Sequence, residues 1–600
     1  MFLRIAAACA VGVAVCFNPC ALAQQLEETV VTATRNSAAI SEIDVPVMVI
    51  SREEIERSLA SDVGEILAQH AGLEVARNGG PGQTASLFMR GTNSNHAIVM
   101  IDGVRINPGT LGGAAIQNMT PESIERIEVV EGPRSALYGT DAIGGVINIF
   151  TRAGAQNGLS ASVAEGRYAS HSVNADGATA LGDRGNVGFS FGRNDSDGFP
   201  AIVGNRDDRG YRNTTVNLSG RFAASDALDL KARVWRANGN TQYSDFFATP
   251  IDEDFTNAAY SLQADWHSDR ARTGHLALSR ADDDIQQNQS PDYLKTRRYA
   301  LDAQTDLQYG HQNLTLGALL TRENARALSF GLPYDVDTRV DMGFVQDRIK
   351  LGTSNLLLAL GYTDHQTFGH QMTWNAEFGH AFGHGTRVSV AAGTAFHAPD
   401  ATDRFGFGGN PQLRPEFSKQ VEASIHQAVG KRQELWATFF DNKIDDLINF
   451  VVTDPQTFDG HNDNVDRARI RGLQIGYGVR SEHWHLRIEA SFNDPRNQIT
   501  GERLLRRAQN TWALATDWHS GRLELGLDAL RSGVRYDFGF PSAVAMAPYT
   551  LLNLSARYNI GAHWSVQARL DNATDERYQL VNGYNTPRRS LLIGARCRFN

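Results

Sequence analysis

Residues 484–492 read Trp-His-Leu-Arg-Ile-Glu-Ala-Ser-Phe, an unbroken alternation of apolar and polar side chains. Trp484, Leu486, Ile488, Ala490 and Phe492 share one face, and His485, Arg487, Glu489 and Ser491 share the other. The same period recurs with Leu523, Leu525, Leu527 and Ala529, with Leu552, Leu554, Ala556 and Tyr558, and with Trp564, Val566, Ala568 and Leu570. Only a strand puts successive residues on opposite faces, so this region is a series of strands, each with one apolar side. The connections narrow the choice further. Residues 481–483, 519–521 and 559–562 are tight turns, whereas 494–508, 532–548 and 572–589 are long and polar. Short and long connections in alternation are the rhythm of an outer-membrane barrel, with turns at one rim and loops at the other. A soluble sandwich of similar strands explains poorly why charges such as Arg487 and Glu489 fill the whole second face. The expected fold is mainly β: an antiparallel transmembrane β-barrel over residues 153–600, its strands running from about Gly158 to Phe599. At roughly 20 residues per strand and connection, that length holds about 22 strands. By the same alternation Cys597 falls on the lipid side with Leu591, Ile593, Ala595 and Phe599.

The N-terminus agrees with export. Arg4 precedes a short apolar run that ends in Ala21-Leu22-Ala23, which marks residues 1–23 as a secretion signal cleaved before Gln24. Of the 4 cysteines only Cys597 then remains, so no internal disulfide is available. No later apolar run is long enough for a spanning helix. The net charge of −10 leaves no basic footprint for nucleic acid.

A barrel of this width has a bore its own side chains cannot fill. Residues 41–152 supply a candidate filler, because their pattern is different. Residues 45–60 read as a strand and then a helix, with Ser51 and Glu54 in capping-box spacing. Residues 61–72 read as a second helix capped by Ser61 and stopped by Gly72. Strands are expected at 96–107, 124–133 and 144–152, with a short helix at 120–126 that has Thr120 as cap and Pro121 at its first position. This is an α/β domain of ordinary size, expected to sit inside the lumen. Ahead of it, residues 24–40 carry "EETVVTATR" (27–35), a β-prone stretch with no hydrophobic partner beside it. A free peptide of this kind can add as a strand to another protein's open sheet edge.

Several separated stretches, in order, resemble TonB-dependent outer-membrane receptors: "IDGVRIN" (101–107), "IERIEVVEGPRSALYGTDAIGGVINI" (124–149), "GNPQLRPEFSKQVE" (409–422) and "NATDERYQLVNGY" (572–584). Within that family, residues 77–107 and "LLRRAQN" (504–510) are most similar to cobalamin receptors. The resemblance implies that Glu28, Thr29, Val30, Val31, Thr32 and Ala33 form a TonB box. It also implies a partner, the TonB protein of the inner-membrane TonB–ExbB–ExbD complex. The chain is then a monomeric transporter of the Gram-negative outer membrane, surrounded by lipid, and not an enzyme. Its ligand is cobalamin or a related corrinoid, with haem or a ferric siderophore as the alternative.

Two plug loops are glycine-rich and uncharged. One carries Asn78, Gly79, Gly80, Gly82, Gln83 and Thr84, and the other Asn107, Gly109, Thr110, Leu111, Gly112 and Gly113. Glycines allow close backbone approach to a bulky ligand, and amides and hydroxyls match its polar rim. The absence of Arg and Lys there disfavours a highly anionic siderophore. The resemblance places these loops beneath a bound corrinoid. No cofactor is required, but Asp207, Asp208, Asp245, Asp252 and Asp254 gather hard oxygen ligands of the type that suits Ca²⁺. Cobalamin receptors order these loops with calcium; here Pro200 and Arg209 stand where aspartates are expected.

Other motifs are structural. "GFSFG" (188–192) around Ser190 lies within an alternating strand and has no following helix. His365, His370, His380 and His384 spread over both ends of a hairpin, and Asp282-Asp283-Asp284 reads as a solvated loop. "FHAP" (396–399) and "NPQL" (410–413) are similar to paired motifs of haem receptors, but His397 lies inside the first motif and no histidine follows before Asn410.

Overall fold

A computed structural model describes residues 29–152, 158–245, 248–269, 271–454, 459–539 and 542–599. The secretion signal and Glu28 lie outside these residues. Twenty-two antiparallel strands close into one barrel, from Gly158–Gly166 to Ser590–Phe599, and the first pairs with the last. Closure leaves no open edge, which lipid could not satisfy. Short turns such as 226–227, 310–311 and 521–522 share one rim, while 398–415, 498–509, 533–548 and 572–589 share the other. The rim of short turns is periplasmic and the rim of long loops extracellular. Leu591, Ile593 and Phe599 project outward, while Arg596 turns inward to the Glu56 carboxylate. Cys597 keeps the outward register, opposite Ala161 and Trp564, but is itself buried.

The strand over Arg272–Gln287 runs through Asp282–Asp284, so the expected acidic loop is a correction. Asp283 points into the bore and accepts the Asn257 amide at 2.6 Å, and Asp282 pairs with Arg280. Charges at this level face protein and water, not lipid, so a strand tolerates them. Ser190 likewise sits in the strand Gly185–Pro200. His365 and His370 lie at one end of a hairpin and His380 at the other.

The plug occupies the bore. Its sheet runs Val47–Ile50, Ile124–Glu131, Gly145–Thr151, Ala97–Ile101, Val104–Arg105; only the Gly145–Thr151/Ala97–Ile101 pair is parallel. A separate hairpin joins Leu73–Arg77 to Ala85–Met89. Helix α1 spans Arg52–Ser58, and the Ser51 hydroxyl accepts the Glu54 N–H at 3.3 Å. Helix α2 spans Val63–Ala68 and is capped by Asp62, not Ser61. The Asp62 carboxylate accepts the Glu65 N–H and also two bonds from Arg77 at 2.7 and 2.8 Å, a partner Ser61 could not hold as tightly. The helix expected at 120–126 is a single tight turn, Pro121–Ser123, because Ile124 already belongs to a strand. Plug residues Ile50, Ile55, Leu67, Met89, Ile127 and Ile147 form one continuous core with Tyr211, Trp235 and Phe255 of the wall.

Candidate functional site

The β-prone N-terminal segment has a partner after all. Thr29–Val30 pairs with Ala38–Ala39, and Val30 packs with Ile43, Val45 and Val130. The Val31 and Thr32 N–H groups donate to the Glu128 carboxylate at 3.0 and 2.9 Å, and Tyr138 donates to the Thr32 carbonyl at 2.8 Å. Burial pushes the Tyr138 hydroxyl up to about 12, which keeps it a donor. Of the predicted box, Thr29 is exposed, Val31 half-buried and Val30, Thr32 and Ala33 are buried. The segment is therefore docked and not free, a correction whose cause is a local strand partner only eight residues downstream. Just beyond it, Arg35 pairs with Asp302 of the wall, donates to the Leu137 carbonyl at 3.0 Å, and lies over the Tyr138 and Phe344 rings.

One side of the plug is bound tightly to the barrel. Arg90 joins plug Glu131 (3.0 Å) to wall Glu422 (2.8 Å) and stacks on Phe440 at 4.6 Å. Arg134 pairs with Glu377, both fully buried. Arg487 and Glu489, the polar face seen in the sequence, meet the plug directly: Arg487 donates to Glu54 at 2.9 Å, and Glu489 accepts the Ala71 N–H at 3.1 Å.

Another side is packed less closely, although Trp235 and Phe255 still join the plug core and Arg233 pairs with plug Asp102 at 2.6 Å. A cavity of about 390 Å³ lies between part of the plug and the strands from Leu228–Ser244 to Leu332–Leu351. Val31 and Arg35 line it at the periplasmic end, and Pro399, Asp400 and Arg404 line it towards the extracellular loops. Plug Arg105 enters it, and burial together with Arg298 pushes its guanidinium down to about 9.

The apical loops are only partly exposed to a ligand. A Cβ at Gly79, Gly80 or Gly82 would meet Ala201, Phe199 or Tyr211, so these glycines allow the barrel wall, not a ligand, to approach closely. A Cβ at Gly109 would collide with Glu323. Asn107 is spent internally, accepting Val99 N–H and donating to Ala97 and Gly112 carbonyls. Gln83 donates to the Gln242 carbonyl, Thr110 N–H donates to Thr296, and Gly112 packs beside Asn95. Thr84 and Leu111 are exposed, Asn78 is half-buried, and the space beside Gly113 is open. Above this level Phe330, Phe407 and Phe450 are exposed with ring centroids 5.7 and 6.4 Å apart. Sequence reasoning missed these aromatics, whose one signal is large apolar residues at loop tips.

The five aspartates do not converge. Asp207 faces Arg209 at 3.6 Å, Asp252 and Asp254 both take the Asn240 amide, Asp245 accepts the Thr249 N–H, and Asp208 begins a strand. Among the described residues, His96, His397 and Glu416 form the cluster with metal-ligating spacing. The His96 and His397 ring centroids are 5.2 Å apart and both rings are buried, so no planar macrocycle fits between them.

The comparisons match this architecture in two parts. Residues 39–146 fit the TonB-dependent receptor plug domain, and residues 158–573 fit the TonB-dependent receptor-like β-barrel. The chain is a TonB-dependent receptor. It is similar to a vitamin B12 transporter, BtuB, of Vibrio vulnificus, 29% identical over 582 residues and covering 93% of this chain and 92% of that one. Among solved structures, the ferric enterobactin receptor PfeA of Pseudomonas aeruginosa superposes with a TM-score of 0.80 at 17% identity, covering 95% of this chain and all of that one. The siderophore receptor PirA of Acinetobacter baumannii gives 0.77 at 17%, covering 92% and 98%. The receptor is thus a transporter of the Gram-negative outer membrane and not an enzyme.

Proposed function

We propose that this receptor takes up cobalamin or a related corrinoid. The observation that carries the reading is a nearly end-to-end similarity to a vitamin B12 transporter, extending through plug and barrel alike. The chemistry of the plug apex supports it. Thr84, Leu111 and the open space at Gly113 offer a small, uncharged platform, and Phe330, Phe407 and Phe450 offer apolar faces above. A broad ligand with amide edges suits such a lining better than a polyanionic iron chelate, which needs cationic partners. Energy enters through residues 28–33, once TonB has drawn Val31 and Thr32 from their place beside Glu128 and captured the segment as a strand. Calcium is a secondary part of the proposal: Asp207, Asp208, Asp245, Asp252 and Asp254 would have to be drawn together by the ion as the loops close on ligand.

The test is a titration of the purified receptor in detergent with cyanocobalamin, haemin and ferric enterobactin, each with and without Ca²⁺. Saturable binding of cyanocobalamin alone, tightened by Ca²⁺, is the expected result. Binding of haemin or the ferric chelate without the corrinoid would overturn the ligand assignment, and an affinity indifferent to Ca²⁺ would remove the metal from it.

A further inference from the structure

We infer that His96, His397 and Glu416 form a transition-metal site that joins the plug to the barrel. The three come from two bodies. His96 ends a tight turn at the start of the plug strand Ala97–Ile101, His397 closes the wall strand Thr386–His397, and Glu416 opens the next one, Glu416–Val429. One nitrogen or oxygen from each lies within 4.8 Å of the others, and the side chains are 0%, 1% and 1% exposed. A tetrahedral zinc ion with bonds of about 2.1 Å spaces its ligand atoms roughly 3.4 Å apart, so a small inward closing completes the set. Two imidazoles and one carboxylate, with a fourth position left open, are a donor set for Zn²⁺ and its first-row neighbours and not for Ca²⁺.

The surroundings are arranged as a metal site requires. His397 donates its Nδ1–H to Asp141 at 2.7 Å, which turns Nε2 towards the cluster with its lone pair available, where it accepts the Asn95 amide at 3.1 Å. A carboxylate behind a histidine in this way fixes the tautomer and raises the basicity of the ligating nitrogen. Glu416 is similarly oriented: its Oε1 accepts the Ile448 N–H at 2.6 Å, leaving Oε2 to meet His96 Nε2. A metal would take the place of the proton between His96 and Glu416 and would displace the Asn95 amide. The His96 proton then moves to Nδ1, and the long 3.3 Å contact from the Asn93 N–H is given up. Two N–H donors would then face each other, so the turn at Asn93 and the ring must draw apart, a cost set against bonds from three ligands to a divalent ion. The 390 Å³ cavity reaches His397 and Asp141 and provides the route of entry.

The experiment uses the intact receptor in detergent, stripped with chelator and then equilibrated with Zn²⁺. Metal content is measured by plasma mass spectrometry, Co²⁺ is used as the spectroscopic probe, and thermal unfolding is followed with and without Zn²⁺. The expected result is one zinc per chain, visible ligand-field bands with Co²⁺, and an upward shift of the unfolding transition on zinc addition. His96→Gln and Glu416→Gln should each weaken zinc binding at least tenfold, while His370→Gln, on an exposed histidine outside the cluster, leaves it unchanged. Folding of each variant is checked by heat-dependent gel mobility. Wild-type receptor that retains no zinc and shows no Co²⁺ bands would overturn the site. So would folded His96→Gln and Glu416→Gln variants that bind zinc as the wild type does.

Discussion

The two sides of the plug meet the barrel differently. Towards the strands Gly369–Ala381, Glu416–Val429 and Asp459–Arg480 the interface is buried and charged, with Arg134–Glu377 and the Glu131–Arg90–Glu422 bridge covered. Towards the strands from Leu228–Ser244 to Leu332–Leu351 the contact with Trp235, Phe255 and Arg233 is interrupted by a 390 Å³ gap, floored at the periplasmic rim by Val31 and Arg35. A buried ion pair contributes little net stability when intact but is costly to break singly, so it fixes one arrangement without adding much to it. The bound side therefore holds the plug in register. The open side, which ends at the segment proposed as the TonB handle, is where movement should meet the least resistance.

Removing residues 28–33 breaks the comparison most completely. The open side then loses Val31 from the floor of its cavity and, with it, the proposed handle. Uptake of labelled corrinoid by intact cells is expected to vanish, while binding by the purified variant stays at the wild-type level. Uptake that persists in the deletion strain would mean that energy enters elsewhere.

Arg134→Ala tests the bound side. It strands Glu377 in a buried site, and loss of one partner of such a pair costs about 3–5 kcal/mol. The thermal transition should fall accordingly. Arg134→Ala combined with Glu377→Leu should recover most of the loss, since removing both charges leaves nothing unpaired. A double variant no better than the single one would show that the pair was not the source of the effect.

How much of this was legible beforehand follows the range of the forces involved. The barrel's limits, Gly158 and Phe599, were readable because lipid imposes alternation on every strand and alternation is local. Helix α1 was readable from Ser51 for the same reason. The cap of α2 was not, because Ser61 and Asp62 are both competent and Arg77, fifteen residues away, decides between them. The apical glycines were correctly located in loops, yet their neighbours Phe199, Tyr211 and Glu323 come from distant strands, so a pattern cannot tell wall from ligand. His96 and Glu416 are 320 positions apart and carry no joint signature in the chain.

Glu74 sharpens the contrast through pH. Its carboxylate is buried beneath the loop 498–509 near Arg507 and accepts the Ala508 N–H at 2.6 Å, and burial pushes it up to about 7 from 4.5. The folded receptor thus keeps this proton to about pH 7, whereas the unfolded chain releases it near 4.5. Folding takes up a proton within that window, so stability is highest below it and declines as pH rises through it. At 1.4 kcal/mol per pH unit the decline amounts to about 3 kcal/mol. Glu74→Gln should flatten this slope in a thermal melt series between pH 4.5 and 7. An unchanged slope would assign it to other groups.

The smallest change in stability is expected on the open side, where a substitution can add volume without displacing anything. Ala300 lines the cavity from the wall, and plug residues Asp102 and Arg105 line it too. An indole placed there enters existing space, so Ala300→Trp should cost no more than about 1 kcal/mol, less than the roughly 1–3 kcal/mol typical of an overpacked core. Binding of the proposed corrinoid, assigned to the space above the plug, should also be unaffected. If the plug yields on this side, uptake should nevertheless fall, because the added ring narrows the gap through which the plug shifts or the ligand passes. A bulky substitution facing the bound side would instead destabilise the fold. Full uptake by a stable Ala300→Trp receptor would show that the gap is only a packing void and that the plug moves as a whole.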